Sequence, residues 1–292
     1  GKRSPGARRA CPPCPRRPPL FPRLYKPVEY VVDFYGMKYA GNSGNLIDRR
    51  ILFWGAFEKD VLHFMRDALK ALGRKDAVFV DVGANTGQHT LFMSKHAGRI
   101  IAVEPLPSIL ARLRRNLQLN KLSRVTVLPV GFGEKAAELP FYKPPERNLG
   151  SGSFVKRFQP GNTPHGKLKV VRGDEALRKA GVTRVDLLKI DVEGYEKPVL
   201  RGLQSTLAKQ RPLVVMELTI DPRHKAVFKS AEELRAAFPK GYAFFAMVRT
   251  TRGAATGRYR LRPYDFDFAK LGQRELVCVP QKLAAKLPRS GG

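Results

Sequence analysis

Beyond residue 77 the chain alternates between short, almost wholly apolar runs and longer stretches whose apolar positions recur at the helical period. The runs at 78–82, 99–103, 125–130, 185–190 and 211–218 lack the polar alternation of a strand with one wet face, so they read as strands buried on both sides. Between them, 106–120, 173–180 and 197–208 read as helices, and another helix begins near Gln88. Regular alternation of strand and helix argues an α/β, doubly wound, mostly parallel sheet. Further strands are expected at 242–248, 259–261 and 275–279, including a late antiparallel pair.

Ahead of this unit, residues 28–40 alternate as a strand does, and Gly41-Asn42-Ser43-Gly44-Asn45 breaks the run as a turn. Val61, Leu62, Met65, Ala68, Leu69 and Leu72 then mark a helix over 58–72. This N-terminal extension is placed to cover a site. The stretch 131–167, with Pro144-Pro145 and Gly150-Ser151-Gly152-Ser153, is too long for an ordinary connection and reads as a lid or acceptor loop. Residues 1–24 hold seven prolines and seven Lys or Arg, without periodic apolar surface or the apolar centre of a secretory signal. The expected division is a disordered head 1–24, an extension 25–77, a main domain 78–280 and a tail 281–292.

The chemistry concentrates at strand ends. The first apolar run closes on Asp81 and opens into Gly83-Ala84-Asn85-Thr86-Gly87, and the second ends in Glu104-Pro105. A glycine-spaced turn lets backbone approach a ligand, and an acid ending the neighbouring strand accepts from a ribose diol. The loop lacks the Gly-x-Gly-x-x-Gly spacing of a dinucleotide site, and a carboxylate at its mouth repels phosphate. It suits a cationic cofactor, and S-adenosylmethionine carries both an ammonium and a sulfonium. Capping of the next helix is the competing role for Asp81 and Asn85.

A third strand ends in Lys189-Ile190-Asp191-Val192-Glu193-Gly194-Tyr195-Glu196, and the next carries Glu217. Together with the loop 81–87, Glu104-Pro105 and the pair Asn116 and Asn120, these motifs resemble the FkbM-type methyltransferases over roughly residues 30–220. The resemblance implies the class I methyltransferase (Rossmann-like) fold with a seven-stranded sheet, and S-adenosylmethionine-dependent methylation of a hydroxyl on a glycan, glycolipid or natural product. Asp81, Gly83, Ala84, Asn85, Gly87, Glu104, Pro105 and Gly131 are the expected cofactor-binding residues. Gly131-Phe132-Gly133 departs from the Ala and Ser more usual near the adenine. Asp191 is the expected acceptor-side base, supported by Glu193 and Glu196, with Glu217 nearby. No metal ligand is assigned, although such carboxylates suit Mg²⁺.

Composition adds less. Formal charge is +29, from 54 Lys and Arg against 25 Asp and Glu, which favours encounter with anionic surfaces. Arg112, Arg114 and Arg115 read as a solvated helix face, and Arg258, Arg260 and Arg262 as one face of a strand. The charge motivates RNA ribose methylation as an alternative. Base-amino methylation is disfavoured, because Asp191-Val192-Glu193-Gly194 stands where such enzymes carry Asn or Asp-Pro-Pro-aromatic. A non-catalytic binding module is the remaining alternative. Cys11 and Cys14 lack a second pair for zinc, and Cys278 reads as core. His89 and His96 lack metal-ligand spacing. Sparse cysteine and no apolar run of membrane-spanning length give an expected cytoplasmic location, peripheral to the membrane at most. The expected partner is a small-molecule, glycan or lipid-linked acceptor, with no specific nucleic acid.

Overall fold

The computed structural model describes residues 26–221, 223–248 and 256–291; the head, with Cys11 and Cys14, lies outside them. Two strands, β1 (Glu29–Asp33) and β2 (Lys38–Asn42), pair antiparallel, so the alternating run at 28–40 is a hairpin and not one strand. Its loop is Tyr35-Gly36, with φ of 55° and 76°. Phe34 and Met37 exchange both backbone bonds across it, at 2.6 and 3.1 Å. Two left-handed residues give the tight turn whose twist matches its strands. Tyrosine in a position that favours Asn or Gly hides that turn from the sequence.

Helix α1 (Leu46–Trp54) follows, with the Asn45 side chain accepting from the Ile47 and Asp48 N–H groups. Helix α2 (Lys59–Ala71) buries Val61, Leu62, Met65, Ala68 and Leu69, the expected face. The main unit runs β3 (Val78–Val82), α3 (Gln88–Met93), β4 (Arg99–Val103), α4 (Pro107–Leu119) and β5 (Val125–Leu128). The expected loop at 131–167 instead holds β6 (Gly131–Gly133), β7 (Ala137–Lys143), a 3₁₀ turn at Glu146–Ser151 and most of β8 (Thr163–Arg172). These three strands form a small sheet ordered β6-β8-β7. Then come α5 (Gly173–Lys179), β9 (Leu187–Ile190), α6 (Glu196–Gly202) and α7 (Gln204–Lys209), so the helix expected at 197–208 breaks at Leu203. The chain continues through β10 (Leu213–Ile220), α8 (Ala231–Ala236), β11 (Tyr242–Met247) and β12 (Tyr259–Pro263). It closes with β13 (Gly272–Pro280), a short α9 (Gln281–Ala284) and β14 (Ser290–Gly291).

The main sheet has the order β14-β12-β11-β13-β10-β9-β3-β4-β5. From β5 to β10 its neighbours are parallel, and β13 lies antiparallel between β10 and β11. The sheet therefore has nine strands where seven were expected, with β12 and β14 added beyond β11. Alternate residues face opposite cores. Phe79, Leu187 and Val215 pack with α2 and α3, while Val80, Leu188 and Val214 pack with α6 and α7. Cys278 is buried on the second side, as expected. No helix among the described residues is long and apolar enough to cross a membrane.

Buried polar bonds tie the hairpin to the sheet. Asp48, fully buried, accepts from Tyr39 Oη at 2.7 Å and Asn42 N at 2.9 Å, and pairs with Arg112. Arg112 is therefore anchored, and the expected solvated face of α4 is left to its neighbours. Tyr39 Oη also lies 2.8 Å from Thr86 Oγ1 in the glycine loop. Asn116 accepts from Ala40 N at 2.8 Å and donates to Thr86 O at 2.9 Å, and Asn120 bonds both backbone groups of Lys38. The asparagine pair thus braces the loop from behind. Asn116→Ala strands two buried backbone groups and is expected to lower stability by about 1–3 kcal/mol. A urea midpoint that falls at constant slope would report it.

Candidate functional site

A cleft opens at the carboxyl ends of β3, β4 and β9, where ligands bind in open α/β sheets. Its floor is the turn 83–87. The Gly83 and Ala84 N–H groups both donate to Val103 O at 3.0 Å, stapling the turn to the end of β4. Gly83 takes φ 84°, and a Cβ there would stand 1.8 Å from the carbonyl oxygen of Asp191. The glycine is thus required by packing of the turn against β9, and not by space that the cofactor occupies. Gly87 caps α3 at φ 93°, with Leu113 Cδ1 2.6 Å from where its Cβ would lie.

Glu104 is buried at the cleft wall and accepts from Asn85 N at 3.1 Å and Leu106 N at 2.9 Å. Each carboxylate oxygen retains lone pairs for further donors. Burial pushes its pKa up to about 7. Beyond it, Pro105, Ile109, Phe132 and Phe141 form an apolar wall, to which Gly131 contributes backbone. A Cβ on Gly131 would come within 2.9 Å of the Phe154 ring. A buried carboxylate with lone pairs to spare, beside an apolar slot, has the donor-acceptor character that a ribose diol and a flat base require. Gly83, Asn85, Glu104, Pro105 and Gly131 all line this cleft, and Ala84 lines its smaller extension.

Asp81 does not. It is fully buried beneath the turn, where Oδ2 accepts from Thr90 Oγ1 at 2.7 Å. Burial raises its pKa against the opposing pull of Lys189. The alternation that turns Val82 into the cleft turns Asp81 away from it, and Asp81 ties β3 to α3 through Thr90. Gly87 also lies outside the lining and acts through the helix start.

Asp191 follows β9 directly and reaches the cleft. Its Oδ2 accepts from Lys189 Nζ at 3.1 Å, the two side chains two residues apart falling on one face. Burial opposes the Lys189 charge, but the carboxylates of Asp191 and Asp81 outweigh it and hold its pKa above the ordinary lysine value. Oxygens of Asp191, Glu193 and Glu217 lie within 4.8 Å of one another. Glu217 sits within β10, short of the strand end where it was expected. Burial and then the Asp191 charge raise the pKa of both glutamates. Glu196 is different: its Oε1 accepts from Gly194 N at 2.8 Å, so it braces the turn, and burial lifts its pKa to about 8.

Sequence reading missed Gln273, whose amide donates to Glu193 at 2.9 Å and Glu217 at 2.7 Å. It lies diagonal to Glu217 across the antiparallel pair, because Glu217 faces Glu275 and Thr219 faces Gln273. It lies ahead of the strand expected at 275–279, because β13 begins at Gly272, so no sequence signal marks it. Glu58 and His89, on the smaller extension of the cleft, were likewise not assigned.

The description of the matching family model is Methyltransferase FkbM domain, over residues 81–244, more than half the chain. The hexuronic acid methyltransferase AglP of Haloferax volcanii is 26% identical over 184 residues, 63% of this chain and 72% of that protein. Methyltransferase 1 of Beauveria bassiana is 31% identical over 186 residues, 58% of this chain and 73% of its own length. The 2-O-methyltransferase NoeI of Sinorhizobium fredii is 23% identical over 213 residues, 64% of this chain and 85% of that one.

Two outcomes follow from the geometry. The Gly83→Ala side chain lands on backbone, and a loss of more than about 2 kcal/mol is expected in denaturant unfolding. The second concerns pH. Glu104 and Glu196 have folded pKa values of about 7 and about 8, above their ordinary 4.5. Their contribution to stability is full below about pH 4.5 and is lost as pH rises through the folded values. The melting temperature without cofactor should therefore fall between about pH 5 and pH 8.5, and less steeply in Glu104→Gln and Glu196→Gln. An identical slope in the variants would contradict this assignment.

Proposed function

The chain belongs to the FkbM methyltransferase family, and on that premise we propose that it methylates a hydroxyl oxygen of a glycan, glycolipid or natural-product acceptor. It is an S-adenosylmethionine-dependent methyltransferase. That cofactor supplies an electrophilic methyl carbon on a positively charged sulfur. What the protein adds is alignment of the acceptor oxygen and a place for one proton.

One observation carries the reading: Asp191 stands where the two parts of the cleft meet, held by a buried lysine, with Glu193 and Glu217 alongside. Asp191 Oδ2 is fixed by Lys189, which leaves Oδ1 to accept the proton of an incoming hydroxyl. Glu193 and Glu217, clamped together by Gln273, offer acceptors to further hydroxyls of a polyol. Such a wall, rich in carboxyl oxygens, favours acceptor groups that donate hydrogen bonds. One relative is named for 2-O-methylation, which supports an oxygen acceptor, and another for a hexuronic acid, which supports an acceptor of the sugar class.

A screen of extracts with a methyl-labelled cofactor finds the acceptor. On that acceptor, Asp191→Asn is expected to bind S-adenosylmethionine within about twofold of the parent. Turnover should fall by about 10²-fold or more as the base is lost. Undiminished turnover would remove Asp191 from the proton's path, and methyl transfer to nitrogen only would overturn the hydroxyl acceptor.

A further inference from the structure

Asp81 is absent from the lining of the cleft, so the carboxylates open to the α-ammonium of the cofactor are those of the lining itself. The cleft has a second, smaller lobe, which shares Gly83, Asn85 and Asp191 with the first. With Glu104 fixing the ribose end in the first lobe, a ligand that crosses Gly83 delivers its amino-acid end into the second. Glu58, His89 and Lys189 provide the ionisable walls there besides Asp191.

Glu58 precedes α2, outside the residues matched by the family model. Although it occupies the capping position, its side chain makes no capping bond; the helix start is served by its carbonyl, which accepts from Val61 and Leu62 N–H at 3.0 and 3.1 Å. The carboxylate is buried on the lobe, with Oε2 3.9 Å from His89 Nε2. The backbone is left-handed, φ 50° and ψ 48°, a conformation that costs a non-glycine residue free energy and collects at functional sites. Phe57 N donates to Gln88 Oε1 at 2.6 Å, pinning this segment to the start of α3. A buried acid on a strained backbone, set against the glycine turn in the lobe that the amino-acid end reaches, is placed to meet a cationic group, with His89 and Lys189 the protein cations that face it.

We propose that Glu58 binds the α-ammonium group of S-adenosylmethionine, completing from the N-terminal extension a donor site whose ribose end is Glu104. The assignment rests on the donor reading of the first lobe. Calorimetry on the full chain tests it with S-adenosylmethionine, with S-adenosylhomocysteine, which keeps the ammonium on a neutral sulfur and should weaken alongside it, and with 5′-methylthioadenosine, a neutral thioether that lacks the whole amino-acid end. Glu58→Gln is expected to weaken S-adenosylmethionine by about tenfold or more and to leave 5′-methylthioadenosine within about twofold. Glu58→Gly should show the same selective loss with a melting temperature that holds or rises, because glycine adopts the left-handed conformation freely. Glu104→Ala should weaken all three ligands; if it weakens none, the donor reading of the first lobe fails. Unchanged S-adenosylmethionine affinity in both Glu58 variants, or equal weakening of S-adenosylmethionine and 5′-methylthioadenosine, would overturn the role of Glu58.

Discussion

The ammonium of Lys189 is the interaction on which the site depends. It is the only lysine or arginine that is fully buried among the described residues, and it stands on β9 directly across from Asp81 on β3. Asp191 lies two residues on, bonded to it. Removing a charge from water costs several kcal/mol, and two carboxylates at the ends of adjacent strands would leave that cost uncompensated. One cation between them makes both tolerable. The same cation fixes which oxygen of Asp191 faces the cleft, so the orientation of the proposed base follows from the charge balance of the sheet.

The compensation is incomplete. Glu104, Glu193, Glu196 and Glu217 are all held above their ordinary pKa, chiefly by burial, so the ligand-free site retains protons that water would remove. S-adenosylmethionine brings two positive centres to the same volume and favours the ionised carboxylates. Cofactor binding and proton release are therefore linked, and affinity should rise with pH over the range in which these acids titrate. The net charge of +29 does not offset the acids, because exposed charges are screened beyond about 8 Å at physiological salt. The molecule is basic at long range and acidic where chemistry occurs.

The parts of the fold that could be read from the sequence are those whose physics is local. Strands β3, β4, β9 and β10 are covered on both faces, which writes them as unbroken apolar runs, and Glu104 is legible because it ends one. The small sheet at 131–172 was not legible. Strand β6 is only three residues long, and β7 and β8 are largely exposed, punctuated by proline and glycine, and held by pairing between residues some 30 apart, such as Ala137 with Val170. Asn116 and Asn120 carried the resemblance, yet their work is structural, visible only when the hairpin lies against them. Gln273 depends wholly on antiparallel register, which no local pattern encodes.

Three non-glycine residues at the cleft, Asn85, Glu193 and Glu58, have left-handed backbone. Asparagine tolerates that conformation and glutamate does not, so propensity reads Asn85 as a turn and misreads the other two. Local sequence preference and global fold normally agree, and their disagreement marks positions where the surroundings over-determine the backbone. At Glu193 the constraint is visible, because its carbonyl accepts from Ser153 and its carboxylate from Gln273. At Glu58 it is the junction between the N-terminal hairpin and helices and the methyltransferase sheet. Both glutamates sit where a second structural unit, the small sheet in one case and the N-terminal segment in the other, closes over the ends of β3 and β9. The parallel sheet alone thus makes half a cleft: Glu193 comes from its own turn between β9 and α6, held by Ser153 beside the small sheet, and Glu58 comes from the N-terminal segment pinned to the start of α3.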